Sequence, residues 1–485
     1  MQTLLLAAQD RTTACRDEDL LLLGSAVNTA SLDALLALST LGPPLLLSPG
    51  HWPEDRPGRA TPPHCNHRFV GFGVAAQVCG AGTDRITQVR DQGSKLLRDL
   101  TVLTDGSPDA GHARLFGALH FSSPADGPPA PPWEEFPDAR VVLPRWLYAQ
   151  GPRGSTLQLC VRAAALRDPS AWSDLQRECA QIQAALQTPA PTPPPRAIPT
   201  SPVPIAQIAT EPAAWDTLVR RALTQIAGGQ FHKVVLARQQ QIHRLDGSAF
   251  DVTAVLHDVG AHYPQCTRFA LPAGSCTFVG ATPELLIDKQ GQRLHSDALA
   301  GSRPRPPQPN AGPTEIAPDG AREQPLSDDK ERREHAHVVT WIRQQLARHA
   351  DLDDATAAPA VRTLRNVHHL HTPIAGTLRT PGHVLDLLAA LHPTPAVCGV
   401  PPAAAANFVA AHEPLQRGLY AAPIGWFDAQ GDGAFYVAIR SALLRADRGW
   451  LFAGAGIVAG SDPDREYRET AAKLRPMLDA LGVMS

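Results

Sequence analysis

No run of Lys and Arg in the 485 residues makes an electrostatic footprint for nucleic acid; 44 basic residues stand against 47 acidic ones, for a net charge of −3. Phosphate backbones are therefore not expected partners. No apolar stretch reaches membrane-spanning length, and the short run LLLAA near the amino end has no basic residue before it, unlike a signal peptide. The expectation is a cytoplasmic protein that does not enter membranes. The 8 cysteines form no CxxC pair, which in a chain this long points to reduced core thiols and excludes zinc held through cysteine. No internal repeat is present.

Proline, by contrast, is abundant and clustered. Residues 188–204, TPAPTPPPRAIPTSPVP, read as an extended, semi-rigid connector, because proline fixes φ and removes a backbone donor. Residues 1–187 before it mix apolar runs with Pro-rich loops and show no clustered chemistry; residues 205–485 after it carry every chemical signal. A second Pro-rich stretch at 302–327 is too long for a tight connection and reads as a surface excursion or a lid.

Elements become legible after the connector. EPAAWDTLVRRALTQIAGG has helical spacing, with Trp215, Leu218, Val219, Leu223 and Ile226 on one stripe and Gly228 ending it. CTFVGATPELLI reads as strand, turn, strand; GDGAFYVAIRSALL and GWLFAGAGIVAGS read as strands; a final helix begins at Asp462, a suitable N-cap. FHKVVLAR reads as a strand whose alternation puts Lys233 on one face with Phe231, Val235 and Ala237. Lysine is rarely buried without a partner, so either its ammonium reaches water past apolar neighbours or its amine has a chemical task.

Two predicted helices each carry a pair of acids at i, i+3: Glu331 and Glu334 in DDKERREH, Glu466 and Glu469 in DREYRET. That spacing puts each pair on one helical face. Four carboxylates converging across a gap would repel unless a hard divalent cation sat between them, and Mg²⁺ takes one or two carboxylates, waters and a substrate oxygen. The alternative is two solvated faces paired to neighbouring arginines.

These stretches resemble the chorismate-binding enzymes, the family of isochorismate, salicylate, anthranilate and aminodeoxychorismate synthases. The resemblance runs through nearly all of 205–485 and rests on KVVLAR, GATPELL, LAGSRPR, DDKERREH, LHPTPAVCG, EPLQRGLYAAPIGW, GDGAFYVAIRSALL and FAGAGIVAGSDPDREYRET, in that order. It implies one large α+β unit of antiparallel sheets sandwiched with helices outside, to which the amino-terminal part contributes. Chorismate is the implied substrate and Mg²⁺ the implied cofactor.

The resemblance also implies roles. Isochorismate forms when water adds at C2 of chorismate while the C4 hydroxyl leaves, so a base and an acid are needed. Lys233 matches the family's base, which must be neutral to accept a proton, and Glu284 matches its acid, with Leu285, Leu286 and Val279 as an apolar setting. Glu334 and Glu469 match direct Mg²⁺ ligands, and Glu331 and Glu466 match holders of metal-bound water. Arg440, on a strand face with Tyr436, Ala438 and Ala442, and Lys473, at i+4 from Glu469, match contacts to a substrate carboxylate. Gly301, Ser302, Tyr420, Gly454 and Gly456 fall in substrate-binding motifs, the glycines letting backbone N–H groups come close. His369 falls beside the substrate ring. His369 and His371 share a strand face, but no third ligand at metal spacing accompanies them, and His368 and His371 read as ordinary polar residues.

Ser302 replaces a more usual threonine, Ala422 a glycine, and Glu331 an aspartate; none removes a catalytic group. Lys233 argues for water as nucleophile, so no glutamine amidotransferase subunit is expected, and Ala300 stands where aminodeoxychorismate synthases often carry lysine. Salicylate synthases share Lys233-type and Glu284-type residues, so their motifs stay compatible. A silent regulatory homologue would be expected to lack one of Lys233, Glu284, Glu334 or Glu469, and all four are present. The residues do not say whether the product would feed menaquinone or a catecholate siderophore.

Overall fold

The computed structural model describes all residues except 13–14, 29–30, 51–65, 123–128, 189–203, 306–328, 355–358 and 484–485. Nearly all of the Pro-rich connector, most of the 302–327 stretch and Cys65 thus lie outside the described residues. Among the described residues, 21 strands join into one network of pairings. All pairings are antiparallel except that of Leu20–Val27 with Thr101–Thr104.

Two limbs of sheet fork from one pair of strands, Arg68–Gly80 and Ala139–Gly151. Their register shifts between Val74 and Ala76, and Val74 lies opposite Pro144. A bulge bends a strand and a proline withholds a ladder donor, so the sheet splits there. One limb continues from Arg68–Gly80 through Leu45–Ser48, Thr267–Ala273, Cys276–Thr282, Ser441–Arg445 and Arg448–Val458 to Lys233–Arg244. The other continues from Ala139–Gly151 through Arg114–Leu119, Pro423–Asp428, Gly433–Val437, Leu285–Gln290 and Arg293–Pro304 to Val367–Leu378. Each limb therefore begins with two strands from before residue 187 and continues with strands from after residue 205.

Period-two alternation assigns the faces. Phe278, Leu443 and Phe452 of the first limb share a core with Leu285, Ile287, Ile424 and Tyr436 of the second. Their neighbours Val279, Leu444 and Leu451 turn to a separate core under the helices Val252–His262 and Pro463–Ala480, which supply Leu256, Leu474 and Met477. The result is the expected α+β arrangement of sheets packed together with helices outside.

The helix Pro212–Ala227 buries Trp215, Leu218 and Val219 and is followed by Gly228. Asp462 caps the last helix by accepting from the Arg465 N–H. GDGAFYVAIRSALL is not continuous strand. It divides into Gly433–Val437 and Ser441–Arg445 around Arg440, which sits at φ 53°. The face shared by Tyr436, Ala438, Arg440 and Ala442 is therefore not formed, because a residue in the left-handed region breaks the alternation. No described helix is long and apolar enough to cross a membrane, and the described cysteines form no disulfide.

Candidate active site

A cleft opens between the two limbs. Strand Lys233–Arg244 contributes Val235, strand Arg293–Pro304 contributes Ala300 and Ser302, and strand Arg448–Val458 contributes Gly454 and Gly456. Glu284, Glu334, His369, Tyr420, Arg440 and Lys473 also line it. Residues spread over more than 200 positions meet because the antiparallel ladders stack their strands side by side.

Lys233 lies under the cleft, 0% exposed. Its Nζ is 2.8 Å from Glu334 Oε1, a close charge contact without the alignment of a hydrogen bond. Its reach depends on Gly456: a Cβ there would stand 2.6 Å from Glu334 Oε1 and 3.1 Å from Lys233 Cε. That glycine makes room for the lysine–glutamate pair, beyond the expected backbone approach to a substrate.

Glu284 follows Pro283 in the turn between Cys276–Thr282 and Leu285–Gln290. Its N–H donates to Thr282 Oγ1 and its carbonyl accepts from the Val437 N–H, which fixes the turn. Burial, reinforced by the nearby Asp297 charge, pushes its carboxyl up to about 8 against the pull of Lys233, Arg440 and Lys473. At neutral pH it holds a proton, as an acid must.

Opposite lies a chain of three side chains. Arg440 Nη2 is 3.2 Å from His369 Nε2, and His369 Nδ1 is 3.0 Å from Ser302 Oγ. Arginine can only donate, so Nε2 accepts and Nδ1–H donates to the serine. Burial and the Arg440 charge hold the His369 imidazole well below its ordinary range, consistent with this neutral tautomer. Ser302 keeps its own hydroxyl proton to donate. His369 is thus committed to Arg440 and Ser302 rather than to His371.

Gly301, between Ala300 and Ser302, sits at the register shift of its strand with φ 71°. A Cβ there would meet the Glu331 carbonyl at 2.9 Å, so this glycine admits the helix Asp329–Leu346. That helix brings Glu334 to the cleft and buries Glu331 at 2% exposure; helix Pro463–Ala480 buries Glu466 at 0%. Lys473 Nζ bonds Glu469 Oε1 at 2.6 Å and the Gly454 carbonyl at 3.0 Å.

The acidic faces are not an unneutralised cluster. Glu334 meets Lys233, Glu469 meets Lys473, and Arg465 donates to Glu331. The donor set still fits a hard divalent cation. It is all carboxylate oxygen, Glu331 Oε2 has no hydrogen-bond partner among the described residues, and Mg²⁺ needs only one or two protein carboxylates. Among the described residues, no three His, Cys, Asp or Glu side chains gather as a ready ligand cage.

Two features escaped the sequence reading. Arg417, buried in the cleft wall, donates to the Val235 and Val397 carbonyls and pairs with Glu413, which accepts from the Ala237 N–H. The pair locks the strand that carries Lys233. His371, read as ordinary, is 8% exposed and bound to the part-buried Asp297. Glu413 and Arg417 stand i, i+4 inside a quoted motif, which is a usable signal; Asp297 had none.

A family model described as chorismate binding enzyme matches residues 52–482. The chain is 34% identical over 420 residues to the salicylate biosynthesis isochorismate synthase of Pseudomonas aeruginosa, covering 86% of this chain and 83% of that one. It is 39% identical over 268 residues to isochorismate synthase MenF of Bacillus subtilis, covering 55% of each. Among solved structures, the menaquinone-specific isochorismate synthase MenF from Escherichia coli superposes with a TM-score of 0.72 at 24% identity over 99% of both chains. Anthranilate synthase component I from Streptococcus pneumoniae gives a TM-score of 0.64 at 19% identity, over 93% of this chain and 99% of that one. The two structural likenesses show a shared fold.

Proposed function

Because the chain belongs to the chorismate-binding enzymes, we propose that it is an isochorismate synthase, an isomerase that adds water at C2 of chorismate as the C4 hydroxyl departs. The observation that carries this reading is the pairing, around one cleft, of a buried lysine amine with a carboxyl that keeps its proton at neutral pH.

In this reading Lys233 parts from Glu334, gives its ammonium proton to solvent, and as a neutral amine takes a proton from the attacking water. Glu284 gives its proton to the C4 oxygen, which leaves as water, while the ring double bonds shift; atoms balance and no redox partner is needed. The amine and the carboxyl end the turnover with protonation exchanged and reset through solvent. Arg440 and Lys473 suit the substrate carboxylates, and Ser302, its acceptor lone pair occupied by His369, offers a hydroxyl donor. Tyr420, whose phenol burial pushes up to about 12, stays a neutral donor on the cleft wall.

Glu334 and Glu469 would hold Mg²⁺, with Glu331 and Glu466 behind them. The cation would supply charge stabilisation at the ring carboxylate. The described cysteines form no disulfide, in keeping with a cytoplasmic enzyme.

The test is incubation with chorismate and Mg²⁺ followed by chromatography. Isochorismate supports the reading, salicylate with pyruvate would replace it by the salicylate synthase reading, and unchanged chorismate at high enzyme would overturn both.

A further inference from the structure

Behind Glu284 lies a charged network whose side chains are not among those lining the cleft. Asp297, on strand Arg293–Pro304, places Oδ2 2.9 Å from Arg362 Nη1 and Oδ1 2.7 Å from His371 Nε2. The same Arg362 Nη1 is 3.3 Å from the Pro283 carbonyl, one residue before Glu284. The three side chains are 10–15% exposed. Burial alone would raise the Asp297 carboxyl, but Arg362 and His371 hold it below its ordinary range. It therefore stays charged at neutral pH, and its charge adds to the push that burial gives the Glu284 carboxyl.

We propose that Asp297 is a positioning residue for the proton donor: clamped by Arg362 and His371, it fixes the Pro283–Glu284 turn and keeps a negative charge behind the Glu284 carboxyl, so that this carboxyl meets substrate with its proton on. The inference rests on the reading of Glu284 as the acid. Other charges facing Glu284 come from three further elements, Lys233, Arg440 and Lys473, and all three pull toward ionisation. Glu334, His369 and Tyr420 line the same cleft. Burial is the larger push on the Glu284 carboxyl, and the Asp297 charge adds to it against the three cations.

The test compares wild type with Asp297→Asn and Asp297→Glu, reading Glu284 directly. Isotope-edited infrared spectroscopy follows the protonated carboxyl band, assigned as the band missing from Glu284→Gln. In the wild type the band should titrate near 8. In Asp297→Asn it should titrate lower by about one unit, a tenfold loss of proton affinity. The alkaline limb of kcat should move with it, while KM for chorismate at pH 6 stays as in the wild type. Asp297→Glu, which keeps the charge, should restore the wild-type midpoint.

Asp297→Asn strands Arg362, and an unpaired buried charge is strongly destabilising; Asp297→Asn/Arg362→Gln removes both charges and should still titrate below the wild type in a folded protein. An unchanged Glu284 midpoint in both variants would overturn the proposal, because a merely structural Asp297 would alter melting and not titration. A wild type that leaves chorismate unconverted would refute the functional reading, and the infrared arm would still decide whether Asp297 governs the Glu284 proton.

Discussion

Lys233→Gln retains a long stem and a polar end but cannot take a proton from water. If the amine is the base, the rate of a single turnover should fall about 10²–10⁴-fold while chorismate still binds through Arg440 and Lys473. Paired measurement of rate and dissociation constant checks this; near-wild-type rate would remove Lys233 from the chemistry, and a parallel fall in affinity would make it an anchor. Glu284 allows a prediction about stability. Its folded value, about 8, lies above the ordinary 4.5 of a free glutamic acid, so the proton favours the fold. Its contribution is complete below pH 4.5 and declines as pH rises through about 8, by on the order of a few kcal/mol. Glu284→Gln mimics the protonated form, so its melting temperature should exceed that of the wild type by a margin that widens between pH 4.5 and 8 and then levels off. A margin that does not depend on pH would mean that Glu284 is ionised in the folded protein. Both residues were legible in the sequence, Lys233 from its apolar strand face and Glu284 from the turn motif that carries it. Asp297 was not, since its partners lie 65 and 74 residues away and only strand pairing brings them together.

Two helices and two strands set where the acids stand. The i, i+3 spacing of Glu331 with Glu334 and of Glu466 with Glu469 was readable because helical period is local. Their partners were not, because Lys233 arrives from a strand and Arg465 from the opposite helix. The break at Arg440 was hidden too: YVAIRSALL alternates well enough for one strand, and only tertiary contact holds a non-glycine residue at φ 53°. These pairings shape what metal removal should do. With Lys233, Lys473 and Arg465 already neutralising Glu334, Glu469 and Glu331, the fold should survive chelation. Turnover of chorismate should be lost in excess chelator and return on adding Mg²⁺, while circular dichroism and melting temperature shift little. Full activity in excess chelator would remove the cation from the reaction; collapse of the fold would make it structural.

Every residue proposed for the chemistry falls after residue 205, yet the sheets do not divide there. Strand Thr267–Ala273 takes Leu45–Ser48 as a neighbour, and Pro423–Asp428 takes Arg114–Leu119. Trp133 is 0% exposed, with its ring centroid 5.4 Å from those of Phe278 and Phe452, and its Nε1–H donates to the Gln416 carbonyl. Gly418 accommodates it: a Cβ there would lie 2.1 Å from the indole. The amino-terminal strands were hard to read as part of the same sheets because pairing partners lie far apart in sequence and no motif marks them. Removing residues 1–204 would leave two interior strands as bare edges and open the aromatic core beside the cleft. Bare apolar edges pair with other chains, so the fragment 205–485 expressed alone should aggregate, bind hydrophobic dyes and leave chorismate unconverted. Fragments 1–187 and 205–485 produced together should recover soluble protein and activity, because the missing strands return without a covalent link. Light scattering and product chromatography on both preparations decide the matter: a monomeric, cooperatively melting 205–485 fragment that turns over chorismate would show that the amino-terminal strands are dispensable to both fold and site.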